Sequence, residues 1–255
     1  MSEITGSKGD GAPFGGRRVV VTGGAHGIGA ATARRLKKLG ATVAVLDIEP
    51  CNEQDHAIVV DLADQRAVLA AAREAVDIMG GVDTLINCAG VAHPNELTEL
   101  DWDAYHRTLT VNLHAPLVLL RELCGRMRVA QYGRVVNVTS IHARFTEPGS
   151  LAYDVSKAGL EAATRTAAIE LAPYGVLVNA VAPGFVSTRM SIVDGVDELK
   201  SDDFQDIYVG KGRLPLRRAA EPEEIAETIV WLASPSNTYV TGQVLTVDGG
   251  LTARF

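Results

Sequence analysis

Ser140, Tyr153 and Lys157 carry the side-chain types of a proton-transfer site. On a helix Tyr153 and Lys157 stand at i and i+4 and share a face, so the ammonium is expected to stabilise a phenolate and draw the phenol pKa from about 10 towards the working pH. Such a tyrosinate serves as a general base for an alcohol proton. Ser140 ends the β-branched run RVVNVTS, at the carboxyl end of a parallel strand, where its hydroxyl can hydrogen-bond a substrate oxygen. Upstream, TGGAHGIG joins a β-branched run to a helical stretch. Gly23, Gly27 and Gly29 permit a tight turn and close backbone approach, and the amides around His26 and Ile28 at the helix start suit a pyrophosphate. Asp47 ends the next β-branched run, 24 residues after Gly23, where a carboxylate accepts hydrogen bonds from a ribose 2′-hydroxyl and repels a 2′-phosphate. His26 rather than Arg in the turn, and Ile48 rather than a basic residue after Asp47, also favour NAD over NADP as the expected cofactor.

These residues need a scaffold that brings strand ends together. Short β-branched runs at 17–22, 42–47, 57–61, 83–88, 134–140, 176–182 and 243–248 alternate with amphipathic stretches near 27–39, 64–79, 101–130, 151–173 and 222–233. That pattern predicts an α/β fold: a doubly wound, Rossmann-like parallel sheet of about seven strands in one domain, with helices on both faces. Pro222 at a first helical position, followed by Glu223 and Glu224, marks the start of the last helix. Residues 1–16 are expected to form a flexible arm and 17–255 the catalytic domain. The charged, glycine-containing stretch at about 185–216 is too long for a simple connection and is expected to bind substrate.

Composition narrows the classes. With 47% hydrophobic and 22% charged residues over 255, the chain can bury a core and is not disordered. Its 24 Lys and Arg against 31 Asp and Glu leave a net charge of −7, and no global basic field to hold nucleic acid or an anionic membrane. Cys51, Cys88 and Cys124 are odd in number and never in a CxxC pair, which predicts neither a disulfide framework nor a zinc site and suits a cytoplasmic protein. No apolar run has the roughly 18–20 residues of a membrane span, and the first residues lack the apolar stretch of a signal peptide. The six histidines form no HExxH or similar ligand pattern, so no metal is expected.

TGGAHGIG, then Ser140, then Tyr153-Asp154-Val155-Ser156-Lys157, resembles the short-chain dehydrogenase/reductase signature of TGxxxGxG, a serine and YxxxK, in order and over nearly the whole chain. The resemblance implies hydride transfer between nicotinamide and a carbinol carbon, with Lys157 also gripping the nicotinamide ribose. It implies further roles. Asn87-Cys88-Ala89-Gly90 looks like the family's NNAG turn, with Cys88 for the second Asn, and Asp61-Leu62 looks like the pair that brackets adenine. Asn112 matches the asparagine of the catalytic tetrad, and Pro183-Gly184 with Val186 and Thr188 resembles the segment that contacts the carboxamide. Relatives pair the helices at 101–130 and 151–173 across subunits, which implies a homotetramer.

Substrate specificity is expected from His93, His142, Arg144, Phe185 and Met190, in loops after the fourth, fifth and sixth strands. A histidine and an arginine beside the serine suit a polyhydroxylated or acidic substrate better than a hydrocarbon, and some sugar dehydrogenases of the family carry a histidine two residues after the serine. The expected substrate is a sugar, polyol or other polar or cyclic secondary alcohol or its ketone. The alternatives are a 3-oxoacyl thioester, a steroid, or no turnover at all in an NAD-sensing regulator.

Overall fold

The computed structural model describes residues 12–51, 54–193 and 195–253. Seven strands form one all-parallel sheet: β1 (Arg18–Thr22), β2 (Thr42–Asp47), β3 (His56–Val59), β4 (Thr84–Asn87), β5 (Gly133–Val138), β6 (Val176–Pro183) and β9 (Val244–Val247), in the order β3-β2-β1-β4-β5-β6-β9. The strands β7 (Ile192–Val193) and β8 (Val196–Asp197) make a separate antiparallel hairpin. The helices are α1 (Gly27–Lys38), α2 (Gln65–Met79), α3 (Trp102–Leu109), α4 (Ala115–Ala130), α5 (Leu151–Leu171), the one-turn α6 (Asp202–Phe204) and α7 (Pro222–Ala233).

Alternation along β1 separates two cores. Val19 and Val21 face Leu36 of α1 and Ile225 and Ile229 of α7, whereas Val20 joins Val68 of α2 and Leu119 and Leu123 of α4 on the other face. A sheet buried on both faces accounts for the continuous apolar runs. Asp64 caps α2 by accepting from the amides of Arg66 and Ala67, and Asp101 caps α3 likewise at Asp103 and Ala104. The stretch expected as one helix over 101–130 contains a wide turn at Thr110–His114, which carries Asn112. Because β1 lies between β2 and β4, chain direction across the sheet reverses there. Thr22 and Asn87 end that pair in register, so the crevice opens above them.

One expectation is corrected. Residues 1–11 of the supposed arm lie outside the described residues, but 12–16 are packed: Phe14 is 1% exposed in the core beside Leu36, and its amide donates to Leu39 O at 2.9 Å. A phenylalanine seated in the core has no freedom to act as an arm.

Candidate active site

The glycine turn leaves β1 and enters α1 through His26, whose side chain makes no capping bond, and the first turn of α1 has no acidic residue. The amides that open a helix lack intrahelical acceptors, and this end supplies neither a side-chain cap nor an acid to compete for them, so it suits an anion. Gly23 adopts φ +69°, and a Cβ there would lie 2.7 Å from Ala89 Cα; one on Gly29 would overlap Gly23 O. The turn is therefore compressed against the β4 turn, with Thr22 Oγ1 accepting from the amides of Cys88 and Ala89 at 3.0 and 3.1 Å. Asp47 reaches the same place from β2, its Oδ2 accepting from Ala25 N at 2.9 Å and its Oδ1 from Glu49 N at 3.0 Å. This cradle of uncapped amides, glycines and a carboxylate fits a nicotinamide dinucleotide.

Several residues expected at the cofactor are engaged otherwise. Leu62 and Val186 turn their side chains into the core, which leaves them only backbone to offer. For Val186 the neighbouring contacts run from Ala220 N to Phe185 O and from Ser187 N to Ala220 O, so its own amide and carbonyl are not used in them. Asn87 is buried and donates to Asn137 Oδ1 at 2.8 Å, and Asn137 donates in turn to Thr164, so Asn87 braces the sheet instead of reaching the crevice with its side chain. Asp61 accepts from its own turn at Ala63 N and pairs with Arg107. Thr188 packs towards Gly27, where a Cβ would meet its Cγ2 at 3.2 Å, and Gly184, after Pro183, is pressed against Asp248.

The side chains expected to react come from the end of β5 and from α5. Ser140 lies two residues beyond β5, and Tyr153 and Lys157 occupy successive turns of α5. Lys157 is buried, its Nζ donates to Val138 O at 2.9 Å, and it stands 5.4 Å from the Tyr153 ring centroid. Gly90 sits over this group: a Cβ on it would lie 3.4 Å from Lys157 Nζ and 3.6 Å from Asn112 Oδ1. Asn112 clamps the β4 turn, its Oδ1 accepting from Val91 N and its Nδ2 donating to Val91 O, both at 2.8 Å.

Electrostatics correct the expectation for the phenol. Burial pushes Tyr153 up to about 12, with hydrogen bonding by Ser140 opposing and the negative charge of Asp154 assisting. Burial also pulls Lys157 down to about 8. The ammonium gives its hydrogen bond to the carbonyl of Val138, and for the phenol loss of water outweighs the opposing hydrogen bond of Ser140. Tyr153 is thus a protonated phenol at neutral pH.

The residues expected at the substrate divide. His142 joins the site: Nδ1 lies 2.8 Å from Asp154 Oδ1, its amide donates to Ser140 Oγ at 3.2 Å, and its ring stands edge-on to Tyr153 at 5.6 Å. Arg144 instead pairs with Glu161 at 3.2 Å, which removes it as a pocket cation. His93 Nδ1 is 3.0 Å from Thr108 Oγ1. Phe185 stacks edge-on against Phe204 and Tyr208, so residues 185–216 carry their own aromatic cluster, and Met190 is half-exposed at the foot of the β7–β8 hairpin. Asp154, Glu49 and Arg189 stand outside the set of residues expected at the site. Asp154, inside the YxxxK run, was visible only as a spacer, and the other two have no local signal.

A family profile described as enoyl-(acyl carrier protein) reductase matches residues 23–252. The chain is 37% identical over 255 residues to the cis-4-hydroxycyclohexanecarboxylate dehydrogenase of Sinomonas cyclohexanicum, covering 95% of this chain and 99% of that one. It is 32% identical over 252 residues to the 3-oxoacyl-(acyl-carrier-protein) reductase of Aquifex aeolicus, covering 92% and 97%. The crystal structure of a Beutenbergia cavernae protein assigned as an NAD(P)-dependent gluconate 5-dehydrogenase, with bound NADP at low occupancy, superposes with a TM-score of 0.86 at 34% identity, covering 95% and 100%. With the nucleotide cradle and the serine, tyrosine and lysine in one crevice, the chain belongs to the short-chain dehydrogenase/reductase family. It is an oxidoreductase of that family, and the family's cofactor is a nicotinamide dinucleotide.

Proposed function

We propose that this chain is an NAD-dependent dehydrogenase that interconverts a secondary alcohol and its ketone, acting on a polar cyclic alcohol, a sugar or a polyol. The observation that carries the reading is the seating of Tyr153, with Lys157 on the next turn of its helix, next to Ser140 and the His142–Asp154 pair. When bound, the nicotinamide supplies or accepts the hydride. In the reducing direction Tyr153 Oη delivers a proton to the oxygen that gains negative charge, and Ser140 Oγ holds that oxygen by a hydrogen bond. In the oxidising direction Tyr153 must first release its own proton to solvent before its phenolate can take the hydroxyl proton, and burial opposes that ionisation, so a positive charge nearby must offset it. Lys157 supplies positive charge from beneath, and Asn112 holds the turn that covers it. The cofactor would be held by the turn from Gly23 to Gly29, by Asp47, and by the backbone of Ala89, Gly90 and Val186. Asp47 favours NAD because a fixed carboxylate receives a ribose hydroxyl and repels a phosphate.

His142 and its carboxylate partner place a hydrogen-bonding ring beside the reacting oxygen, which supports a substrate with a second polar group. The relative from S. cyclohexanicum, named for a hydroxycyclohexanecarboxylate, agrees with that class. The similarity to a 3-oxoacyl reductase supports a second reading, reduction of an acyl thioester. A panel of polyols, sugars, cyclic hydroxy acids and 3-hydroxyacyl thioesters, each offered with NAD and with NADP and followed by nicotinamide absorbance, separates them. Turnover of cyclic or polyhydroxy alcohols with NAD is the expected result; turnover of thioesters alone refutes it. The proposal extends to a homotetramer in the cytoplasm: Leu117 and Val129 on α4 and Val155 and Ile169 on α5 are exposed apolar side chains suited to subunit contact, and the three cysteines stand free.

A further inference from the structure

Three charged or ionisable side chains from separate parts of the chain meet beside the Asp47 carboxylate. His26 in the glycine turn places Nε2 2.8 Å from Glu49 Oε2, and Arg189, next to Thr188, donates Nη1 to Glu49 Oε1 at 2.9 Å. Glu49 follows Asp47 by two residues and donates its amide to Asp47 Oδ1, while Asp47 Oδ2 accepts from Ala25, the residue before His26. Glu49 thus uses both carboxylate oxygens to hold one cation and one potential cation against the position where Asp47 meets the ribose. The His26 hydrogen bond, with help from Arg189, keeps its carboxyl below the usual carboxylate range.

We propose that Glu49 is a second determinant of cofactor choice, which disfavours a 2′-phosphate by occupying His26 and Arg189 and by adding negative charge beside Asp47. The proposal rests on the NAD reading above. A phosphate dianion at the 2′ position gains most from guanidinium and imidazolium donors, and a donor already bonded to a carboxylate must be released first. Without the Glu49 charge, the same two side chains would line that position as phosphate ligands. All three are part-exposed, with side-chain exposures of 42% for His26, 50% for Glu49 and 63% for Arg189, so they can move to an incoming ligand and the substitution tested removes no core packing.

The test is equilibrium binding of NADH and NADPH, without substrate, read by nucleotide fluorescence for the wild type, E49Q, E49Q/H26Q and E49Q/R189M, with a melting curve for each. In E49Q the NADPH dissociation constant is expected to fall about tenfold while that for NADH changes less than twofold. Each double variant is expected to lose part of that gain, and added salt to shrink it. A ratio of the two constants in E49Q within twofold of wild type overturns the proposal, as does a gain that survives in both double variants. Tighter wild-type binding of NADPH than NADH would refute the Asp47 reading alone, because the shift on E49Q is measured against whatever preference the wild type has.

Discussion

Lys157→Met is expected to stabilise the protein near neutral pH while removing its activity. The side chain is 3% exposed, and burial holds its pKa at about 8 against 10.5 for the free group. At pH 7 both the folded and unfolded chains carry the proton, so the folded state bears the whole cost of burying it; that gap, at about 1.36 kcal/mol per pH unit, is about 3 kcal/mol. Methionine keeps the aliphatic bulk but loses the hydrogen bond to Val138 O, worth about 1.5–2 kcal/mol for a charged donor. The net gain is about 1–2 kcal/mol, or a rise of about 4 °C in Tm for a chain of this length. The sign reverses with pH: between about 8 and 10.5 the unfolded chain binds more protons, so the wild type gains on the variant as pH rises, the advantage is gone near pH 9 and the wild type is the more stable by pH 10. Calorimetric scans of both proteins without cofactor, at equal protein concentration from pH 7 to 10, measure the difference directly. A variant that melts below wild type at pH 7, or a difference flat across that range, refutes the reading that Lys157 is held charged against its surroundings.

Tyr153→Phe is expected to lower kcat by about a thousandfold or more, the scale of a lost proton-transfer group, with NADH affinity within threefold of wild type in a fluorescence titration; retained turnover removes Tyr153 as the proton carrier. Asp83→Asn should cost about 2 kcal/mol at pH 7, because its carboxylate accepts from Arg18 N, Nε and Nη2 at 2.8–2.9 Å. Burial raises the Asp83 pKa but the Arg18 bonds outweigh it and hold it low, so that contribution is present above the ordinary aspartate range and fades as acid titrates the folded pair; urea midpoints at pH 7 and pH 3 check it. Gly23→Ala places a side chain at φ +69° and 2.7 Å from Ala89 Cα, and is expected to lose about 2–3 kcal/mol and to weaken dinucleotide binding more than tenfold, both read from one melting series with and without NADH.

The sheet was legible because its central strands are buried on both faces. Runs such as VAVL and VVNV have no polar face to disguise them, and their glycine and charged punctuation falls at the turns. The placement of the candidate site was legible where it is written in one segment: the glycine turn at the end of β1, Tyr153 with Lys157 on one helix, and Asp47 at a strand end. Properties created by packing were not. The phenol of Tyr153 was expected to titrate low from its lysine neighbour, yet burial, which spacing does not encode, dominates. Arg144 looked like a pocket cation beside Ser140, but a carboxylate 17 residues on claims it. Glu49 and Arg189 are 140 residues apart and meet only once β2 and β6 have taken their places. Phe14 lies in a glycine-rich leader, and nothing nearby shares its periodicity.

That phenylalanine changes how the nucleotide half of the molecule is assembled. The hydrogen bond that its amide donates to Leu39 O joins the stretch before β1 to the end of α1, so β1, the glycine turn and α1 lie inside one short loop closed at its base. Contacts so near in sequence close at low entropic cost, and this strand–helix unit can form before the distant strands β6 and β9 arrive. The closure also fixes the far end of α1. A helix anchored at its base holds its opposite terminus at a set height, and it is that terminus which faces the crevice with unused amides.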